Sequence, residues 1–195
     1  DELKNIARNN GIVGAGGAGF PAYAKMTDKA DTVILNCVEC EPLLKLHRQL
    51  LATHTEEIIQ MLDEVRESFG AKEAVIGIKS EYVTTIKAVE EVLGDFPKVR
   101  ICALKPAYPM GDEVVLIYEA TGRVIQPGGL PIDENVVVYN VETMYNLYRA
   151  VHLDIPVTNK LVSIVGEIDH PLTVRVPLGT TVNFAKRSSC CCENG

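Results

Sequence analysis

The sequence contains no run of basic residues and no apolar stretch that approaches the ~20 residues needed to cross a bilayer. Its longest apolar runs, such as Val33–Leu35 and Val136–Tyr139, are only as long as a β-strand. The formal net charge is −7, whereas nucleic-acid binding depends on Lys and Arg side chains that neutralise phosphates. These absences argue against a nucleic-acid partner and predict no transmembrane segment in this chain.

Signals of secretion are also missing. The start, Asp1-Glu-Leu-Lys, is polar and has no signal peptide, and because it lacks an initiator Met we expect the chain to be a piece of something longer. The six cysteines form no spaced disulfide framework, which favours a reducing cytoplasm. Cys190, Cys191 and Cys192 are consecutive, and we interpret residues 184–195 as a tail, disordered or added by cloning, rather than a site.

Short apolar runs alternate with amphipathic segments along the chain. Strands are predicted at Thr32–Asn36, Ala74–Ile78, Val99–Leu104 and Asn135–Tyr139. Helices are predicted at Glu2–Asn10, Pro21–Met26, Leu43–Leu51, Thr84–Leu93, Gly111–Ala120 and Val141–Val151, with one more from a capping box of Thr53 and Glu56 to Gly70. Strands so far apart need crossover helices, so the pattern predicts an α/β fold, a layered and mostly parallel sheet with helices on both faces.

The pattern changes near Pro156. Two β-rich runs, Leu161–Ile168 and Leu172–Val176, flank a turn at Asp169-His-Pro, which predicts a hairpin. Too few residues remain to complete a domain. We therefore predict an α/β domain at 1–155, the beginning of a small β-rich unit at 156–183, and the tail at 184–195.

The strongest chemical signal is the glycine-rich segment Gly14-Ala-Gly-Gly-Ala-Gly-Phe-Pro. Glycine lets ligand oxygens approach the main chain closely, and successive N–H groups can then hold an anion. A helix that begins at Pro21 would add its partial positive charge, and Lys25 would add a full one. The alternative is an ordinary flexible loop. A standard Rossmann loop is disfavoured because the segment precedes the first clear strand.

A second polar segment, Asn36-Cys-Val-Glu-Cys-Glu-Pro, directly follows a buried strand, where open α/β sheets bind ligands. Cys37 and Cys40 form a C-x-x-C, which is typical of a redox dithiol or half a metal site. No second C-x-x-C and no histidine at metal spacing accompany it. We therefore favour two structural cysteines and predict no metal site.

Two more loops occupy the same kind of position. Tyr108-Pro-Met-Gly-Asp-Glu and Asn140-Val-Glu-Thr each lie where a predicted strand gives way to a helix. Their acidic and amide residues could simply cap helices. Four such loops at one edge of a sheet favour a binding site instead. The scattered histidines, including His47, are interpreted as surface or packing residues, and Gln126-Pro-Gly-Gly-Leu-Pro as either a turn or a lid.

In this order, the four segments resemble those of the flavin- and NADH-binding subunit family of respiratory complex I. The second segment matches the family's Asn-Ala-Asp-Glu-Gly-Glu-Pro, the third its Tyr-x-x-Gly-Glu-Glu and the fourth its Asn-Val-Glu-Thr. The form Glu-Cys-Glu-Pro, with Gly-Gly-Leu-Pro later, is similar to the RnfC-like branch. That branch includes the RnfC component of Rnf electron-transport complexes, cobalamin reductase and an electron-transfer protein associated with proline reductase.

The resemblance implies an FMN site. The phosphate and ribityl chain would be held by Gly14, Gly16, Gly17, Gly19 and Lys25. The rest of the site would be lined by Asn36, Glu39, Tyr108, Gly111, Asp112, Asn140 and Thr143. Glu41 occupies the position of a carboxylate near NADH, and we assign it a catalytic role. Residues 156–183 would begin a β-grasp domain of the SLBB type.

The implied function is electron transfer in the cytoplasm or at the inner face of a membrane, with other electron-transfer subunits or a reductase acceptor as partners. Electrons from NADH or a protein donor would pass through FMN to 4Fe-4S clusters on a segment outside this chain. Two departures bear on the donor: Val38 replaces an acid that contacts FMN, and Val124-Ile-Gln-Pro lacks the lysine and aromatic residue used for NADH. The alternative is a scaffold that has lost the flavin.

Overall fold

A four-stranded parallel sheet forms the centre of the chain in the computed structural model, which describes residues 2–183. Its strands, in the order β3-β2-β1-β4, are β1 (Thr32–Cys37), β2 (Glu73–Lys79), β3 (Val99–Leu104) and β4 (Val136–Asn140). Asn36 at the end of β1 lies beside Asn140 at the end of β4. This register brings the loops after β1 and β4 to one edge of the sheet.

Six α-helices of the described chain cover the two faces of this sheet: α1 (Glu2–Asn9), α2 (Leu46–Thr53), α3 (Thr55–Phe69), α4 (Val83–Val92), α5 (Glu113–Thr121) and α6 (Val141–Leu153). Helices α3 and α6 pack on one face, and α5 covers the other. The predicted α/β class, with helices on both faces, is confirmed. No helix within residues 2–183 has the length and apolarity of a membrane span.

The apolar runs explain why β1 is central. Successive side chains of a strand point to opposite faces. Val33 and Leu35 are buried on the α3 and α6 side, whereas Ile34 is buried on the α5 side. The three successive apolar residues of β1, Val33 to Leu35, are therefore covered from both directions, as parallel strands in α/β proteins are.

Two predicted helices begin later than expected, α2 at Leu46 rather than Leu43 and α5 at Glu113 rather than Gly111. Two other predicted helix starts are wrong. Thr53 and Glu56 form no capping box, because α2 continues to Thr53, whose hydroxyl donates to the Gln49 carbonyl at 2.8 Å. The segment after Pro21 is a 3₁₀ turn, Ala22–Lys25, and not a helix of two turns. Gly70 does end α3, with a left-handed φ of 67°.

The predicted hairpin is present as β5 (Asn159–Ile164) and β6 (Leu172–Pro177), which pair antiparallel. Strand β5 ends four residues earlier than predicted, before a turn in which Gly166 has a φ of 110°. The domain boundary at residue 155 stays a prediction, and the predicted tail with Cys190–Cys192 lies outside the described residues.

A bidentate ion pair closes the sheet at the edge opposite these loops. Arg123 donates from Nη1 to Asp31 Oδ1 at 2.6 Å and from Nη2 to Asp31 Oδ2 at 3.1 Å, and also reaches the Glu134 carbonyl. The hydrogen bonds from Arg123 lower the pKa of Asp31 below its ordinary value of 3.8. The pair therefore stabilises the fold above that value and loses its contribution as the pH falls through the lowered pKa.

We expect Arg123→Met to lower the free energy of unfolding by about 1–2 kcal/mol at pH 7, because a charge-assisted pair is lost from a partly screened site. Below about pH 4 the difference from the wild type should shrink as Asp31 becomes protonated. Urea unfolding of the variant and the wild type at a series of pH values measures the difference in unfolding free energy and its pH dependence. Lys72→Met is the matched control, since the exposed Lys72 reaches the same carboxylate at 3.5 Å and should contribute little. An equal loss in the control would contradict the assignment.

Candidate functional site

The carboxyl ends of β1 and β4 open into a cavity of about 840 Å³, which is within the size range of small-molecule sites. It brings together ten of the residues predicted from the sequence: Gly14, Gly16, Gly17, Lys25, Asn36, Glu39, Glu41, Gly111, Asn140 and Thr143. The four loops therefore form one site.

The glycine-rich loop is fixed in place by the first turn of α6. The Ala15 amide donates to Thr143 Oγ1 at 2.9 Å, and the Thr143 hydroxyl and amide in turn contact Asn140 Oδ1 at 2.6 and 2.7 Å. A Cβ on Gly16 would lie 2.4 Å from Asn140 Nδ2. The alternative of a flexible loop is therefore disfavoured, and Asn140 is an N-cap as well as part of the cavity wall.

Main-chain donors remain available in this loop. Within the part of the chain that the structure describes, the amides of Gly16 and Gly17 make no hydrogen bond, although both residues line the cavity. Adjacent unpaired amides in a concave wall are the donors that bind anions. The four-residue 3₁₀ turn that follows adds no helix N-terminus of the kind predicted.

Lys25 lines the same cavity but already has protein partners. Its Nζ donates to the Val138 carbonyl at 3.1 Å and lies 3.4 Å from Glu113 Oε1. Both side chains are more than one-third exposed, so the ion pair itself is weak. The lysine is positioned by the main chain of β4, and Glu113 competes with any anion for its charge.

Asn36 and Gly111 join the loops after β1 and β3. Asn36 Nδ2 donates to the Gly111 carbonyl at 3.0 Å, and Asn36 Oδ1 accepts from the Val38 amide at 3.0 Å. A Cβ at Gly111 would lie 2.4 Å from the Val38 carbonyl oxygen and 2.8 Å from Cys40 Sγ. This close backbone approach explains why residue 111 is a glycine.

Glu39 is a buried carboxylate in the cavity wall, with its side chain 3% exposed. Its Oε1 accepts from the His47 amide at 2.9 Å, whereas Oε2 has no hydrogen-bond partner among the described residues. Arg48 Nε lies 3.8 Å away, beyond hydrogen-bond distance. Burial raises the pKa of Glu39, opposed by the His47 amide and Arg48. A buried oxygen without a partner calls for one from a ligand or water.

His47 is a cavity residue that sequence reasoning assigned to surface or packing. Burial, with the nearby charge of Lys160, lowers its pKa to about 4, so the imidazole is neutral at pH 7. The carbon Cε1 would lie 3.2 Å from a Cβ on Gly16, which places the ring against the glycine-rich loop. Its position six residues after Glu41 gave no recognisable motif.

The sequence also gave no indication of several other residues that line the cavity. Phe20, Glu113 and Glu142 come from loops already singled out, but the hairpin strand β5 contributes Lys160, Leu161, Val162 and Ser163. No sequence signal pointed to the hairpin as a wall, because its contribution depends on how the chain folds back over α6.

Three predicted residues lie outside this lining. Gly19 has a left-handed φ of 70°, and Tyr108 is 81% exposed. Asp112 caps α5, where its Oδ1 accepts from the Val114 amide at 3.0 Å and the Val115 amide at 3.2 Å. The helix-capping alternative therefore describes Asp112, and cofactor contacts by these three residues stay predictions.

The C-x-x-C has the features of packing residues. Cys37 is fully buried, and burial followed by the Glu39 charge raises the pKa of its thiol, which opposes thiolate chemistry. Cys40 packs beside Gly111. Among residues 2–183, no three His, Cys, Asp or Glu side chains are grouped so that they could hold a metal ion.

Comparison with known proteins adds family information to this geometry. The family profile described as Nuo51 FMN-binding domain matches residues 7–149. Cobalamin reductase PduS of Salmonella typhimurium is 40% identical over 182 residues, covering 93% of this chain and 40% of that protein. A component of the Na(+)-translocating ferredoxin:NAD(+) oxidoreductase complex of Acetobacterium woodii is 32% identical over 184 residues, covering 92% and 42%.

Solved structures share the fold. The NAD+-reducing [NiFe]-hydrogenase in its air-oxidized state superposes with a TM-score of 0.81 at 23% identity, covering 96% of this chain and 38% of the hydrogenase chain. The chain thus spans about two-fifths of the length of the curated relatives it matches.

The contact at Gly111 gives a test of how the site is built. We expect Gly111→Ala to destabilise the fold by about 1–3 kcal/mol, because the added methyl group meets the Val38 main chain. Gly94→Ala is the control, since no atom lies within 4 Å of its Cβ position. Thermal or urea unfolding compares the two. Equal stability of both variants would show that the loops after β1 and β3 do not meet.

Proposed function

The chain belongs to the Nuo51 FMN-binding domain family, and from this membership we propose that its cavity binds FMN and serves electron transfer in a larger oxidoreductase. The resemblance to the RnfC-like branch is confirmed at the level of relatives, because cobalamin reductase PduS and components of two ferredoxin:NAD(+) oxidoreductase complexes are 32–40% identical over most of the chain.

The observation that carries the proposal is the pair of unpaired amides in a fixed loop. Gly16 and Gly17 offer main-chain donors to an anion, and Lys25 offers a cation in the same cavity. A monophosphate ester fits this donor set. We assign its binding to these three residues and to Gly14.

The remainder of the cavity suits a planar polar ring. Asn36, Glu39, Gly111 and Asn140 also line the cavity. Glu39 Oε2, which has no hydrogen-bond partner among the described residues, fits a hydrogen-bond donor on such a ring. FMN, when bound, supplies the redox chemistry, since it exchanges electrons in pairs or singly. The protein's own contribution is to position the ring, exclude water and set its local charge.

For the electron route, we propose NADH or a protein donor on one side and 4Fe-4S clusters outside residues 1–195 on the other. Support for clusters elsewhere is that the relatives are about two and a half times longer than the matched part. Glu41 lines the cavity and is our assignment for the carboxylate near the donor. The segment from Val124 lacks a lysine and an aromatic residue, which favours a protein donor.

We further propose that the chain works with other electron-transfer subunits or a reductase acceptor, in the cytoplasm or at the inner face of a membrane. Two of the relatives are named as components of ion-translocating ferredoxin:NAD(+) oxidoreductase complexes. The second candidate function is a scaffold without flavin. It is favoured by one observation, that Lys25 already lies next to the carboxylate of Glu113.

Titration of the purified chain with FMN separates the two functions. We expect saturable quenching of flavin fluorescence at one FMN per chain, whereas no binding after attempted reconstitution would support the scaffold. Stopped-flow mixing of the loaded protein with NADH then tests the donor. Rapid bleaching of the flavin absorbance indicates NADH, and its absence indicates a protein donor.

We expect Lys25→Ala to weaken FMN binding by about 1.5–3 kcal/mol, because a charge-assisted contact to the phosphate is lost. That loss corresponds to roughly a 10- to 150-fold increase in Kd. Lys29→Ala is the control, since Lys29 is exposed and does not line the cavity. Riboflavin, which lacks the phosphate, should bind both variants equally. Unchanged FMN affinity in Lys25→Ala would refute the phosphate assignment.

A further inference from the structure

The hairpin β5–β6 forms one wall of the cavity although it lies outside the sheet. Lys160, Leu161, Val162 and Ser163 of β5 line the site. All six residues of β5 are only partly buried. The two strands pair with each other and contact the other elements sparsely. The position of this wall therefore depends on a small number of attachments.

Glu142 provides the main polar attachment. It lies in the first turn of α6, and its side chain is only 3% exposed. Its Oε2 accepts a hydrogen bond from Lys160 Nζ, and its Oε1 accepts from the Leu161 amide at 3.2 Å. Lys160 Nζ also donates to the Leu161 carbonyl at 3.1 Å. Both carboxylate oxygens of one buried residue are thus committed to β5.

The other described attachments of the hairpin involve no charged group. The Val157 amide donates to the Asn10 carbonyl at 3.0 Å, and the side chains of Val157 and Leu161 pack against the core at its edge. None of these contacts carries a charge. Loss of the carboxylate would leave Lys160 without its buried counter-charge, and loss of Lys160 would leave Glu142 unpaired, which is costly for a buried ion.

The same turn of α6 holds the glycine-rich loop. Asn140 and Thr143, on either side of Glu142, contact that loop through Gly16 and Ala15. One helical turn therefore fixes two parts of the cavity wall, the glycine-rich loop and the hairpin. A shift of the hairpin would act on the same turn that orients the loop.

We propose that Glu142 is a positioning residue of the cofactor site, which locks β5 onto the cavity through Lys160 and Leu161 and so couples hairpin docking to FMN binding. The inference rests on the proposed function, because FMN is the ligand that it couples. Coupling is reciprocal. FMN must therefore hold the hairpin in place, and a loosened hairpin must weaken FMN binding.

Hydrogen–deuterium exchange with and without FMN tests the first direction. In the wild type we expect FMN to slow amide exchange across β5 and β6. Lys160→Met should speed that exchange in the absence of FMN and weaken FMN binding by about 5- to 150-fold, the range of ordinary coupling energies. Arg175→Met is the matched control, since it removes a charge from the exposed side of the same hairpin.

Two further variants test whether Glu142 and Lys160 act as a pair. Lys160→Arg should restore both exchange protection and FMN affinity, because it keeps the charge that Glu142 binds. The double variant Glu142→Gln, Lys160→Met should lose no more affinity than Lys160→Met alone, since the two residues act as one unit. It also avoids an unpaired buried carboxylate if the single variant is unstable.

Two results would overturn the inference. One is a wild type that binds FMN with unchanged exchange in the hairpin. The other is a Lys160→Met protein that binds FMN weakly while its hairpin exchanges as in the wild type, which would mean direct contact between Lys160 and the ligand. A wild type that binds no FMN would contradict the proposed function itself.

Discussion

The hydrogen bonds of the Thr143 hydroxyl hold the glycine-rich loop in the wall of the cavity. Thr143 is 1% exposed at the start of α6, where its hydroxyl accepts from the Ala15 amide and donates within the Asn140 cap. Residues 15 and 143 are far apart in sequence, so this contact depends on the tertiary placement of α6 beside the loop. The glycine-rich loop is therefore ordered by a tertiary contact, and its own glycines could not impose that order.

The two faces of the sheet differ in the size of the core that covers them. The face toward α3 and α6 has the larger core, whereas α5 alone among the described helices covers the other. Gly77 in the middle of β2 lets Leu116 of α5 approach, since a Cβ there would lie 2.5 Å from Leu116 Cδ1. Close packing of this one helix also places Gly111 and Glu113, which precede and begin it, at the cavity.

The sequence was sufficient for the sheet because β1, β2 and β4 are largely buried apolar runs, and amphipathic segments separate the strands. It located the loops after β1, β3 and β4, since parallel strands end at one edge. It did not locate His47 or Lys160, whose place in the cavity depends on packing between segments distant in sequence. The capping box at Thr53 failed for a local reason, because Thr53 still belongs to α2 and the N-cap position of α3 falls to His54.

The glycines of the site differ in whether neighbouring atoms leave room for a side chain, and this difference has an evolutionary consequence. Gly16 is confined by Asn140, and Gly111 by the main chain at Val38, whereas no protein atom lies near a Cβ at Gly17. A relative without the proposed cofactor should still keep Gly16 and Gly111, because the packing of the fold requires glycine there. Gly17 has no such packing constraint, so its retention or loss in a relative reports on whether the loop still serves a ligand.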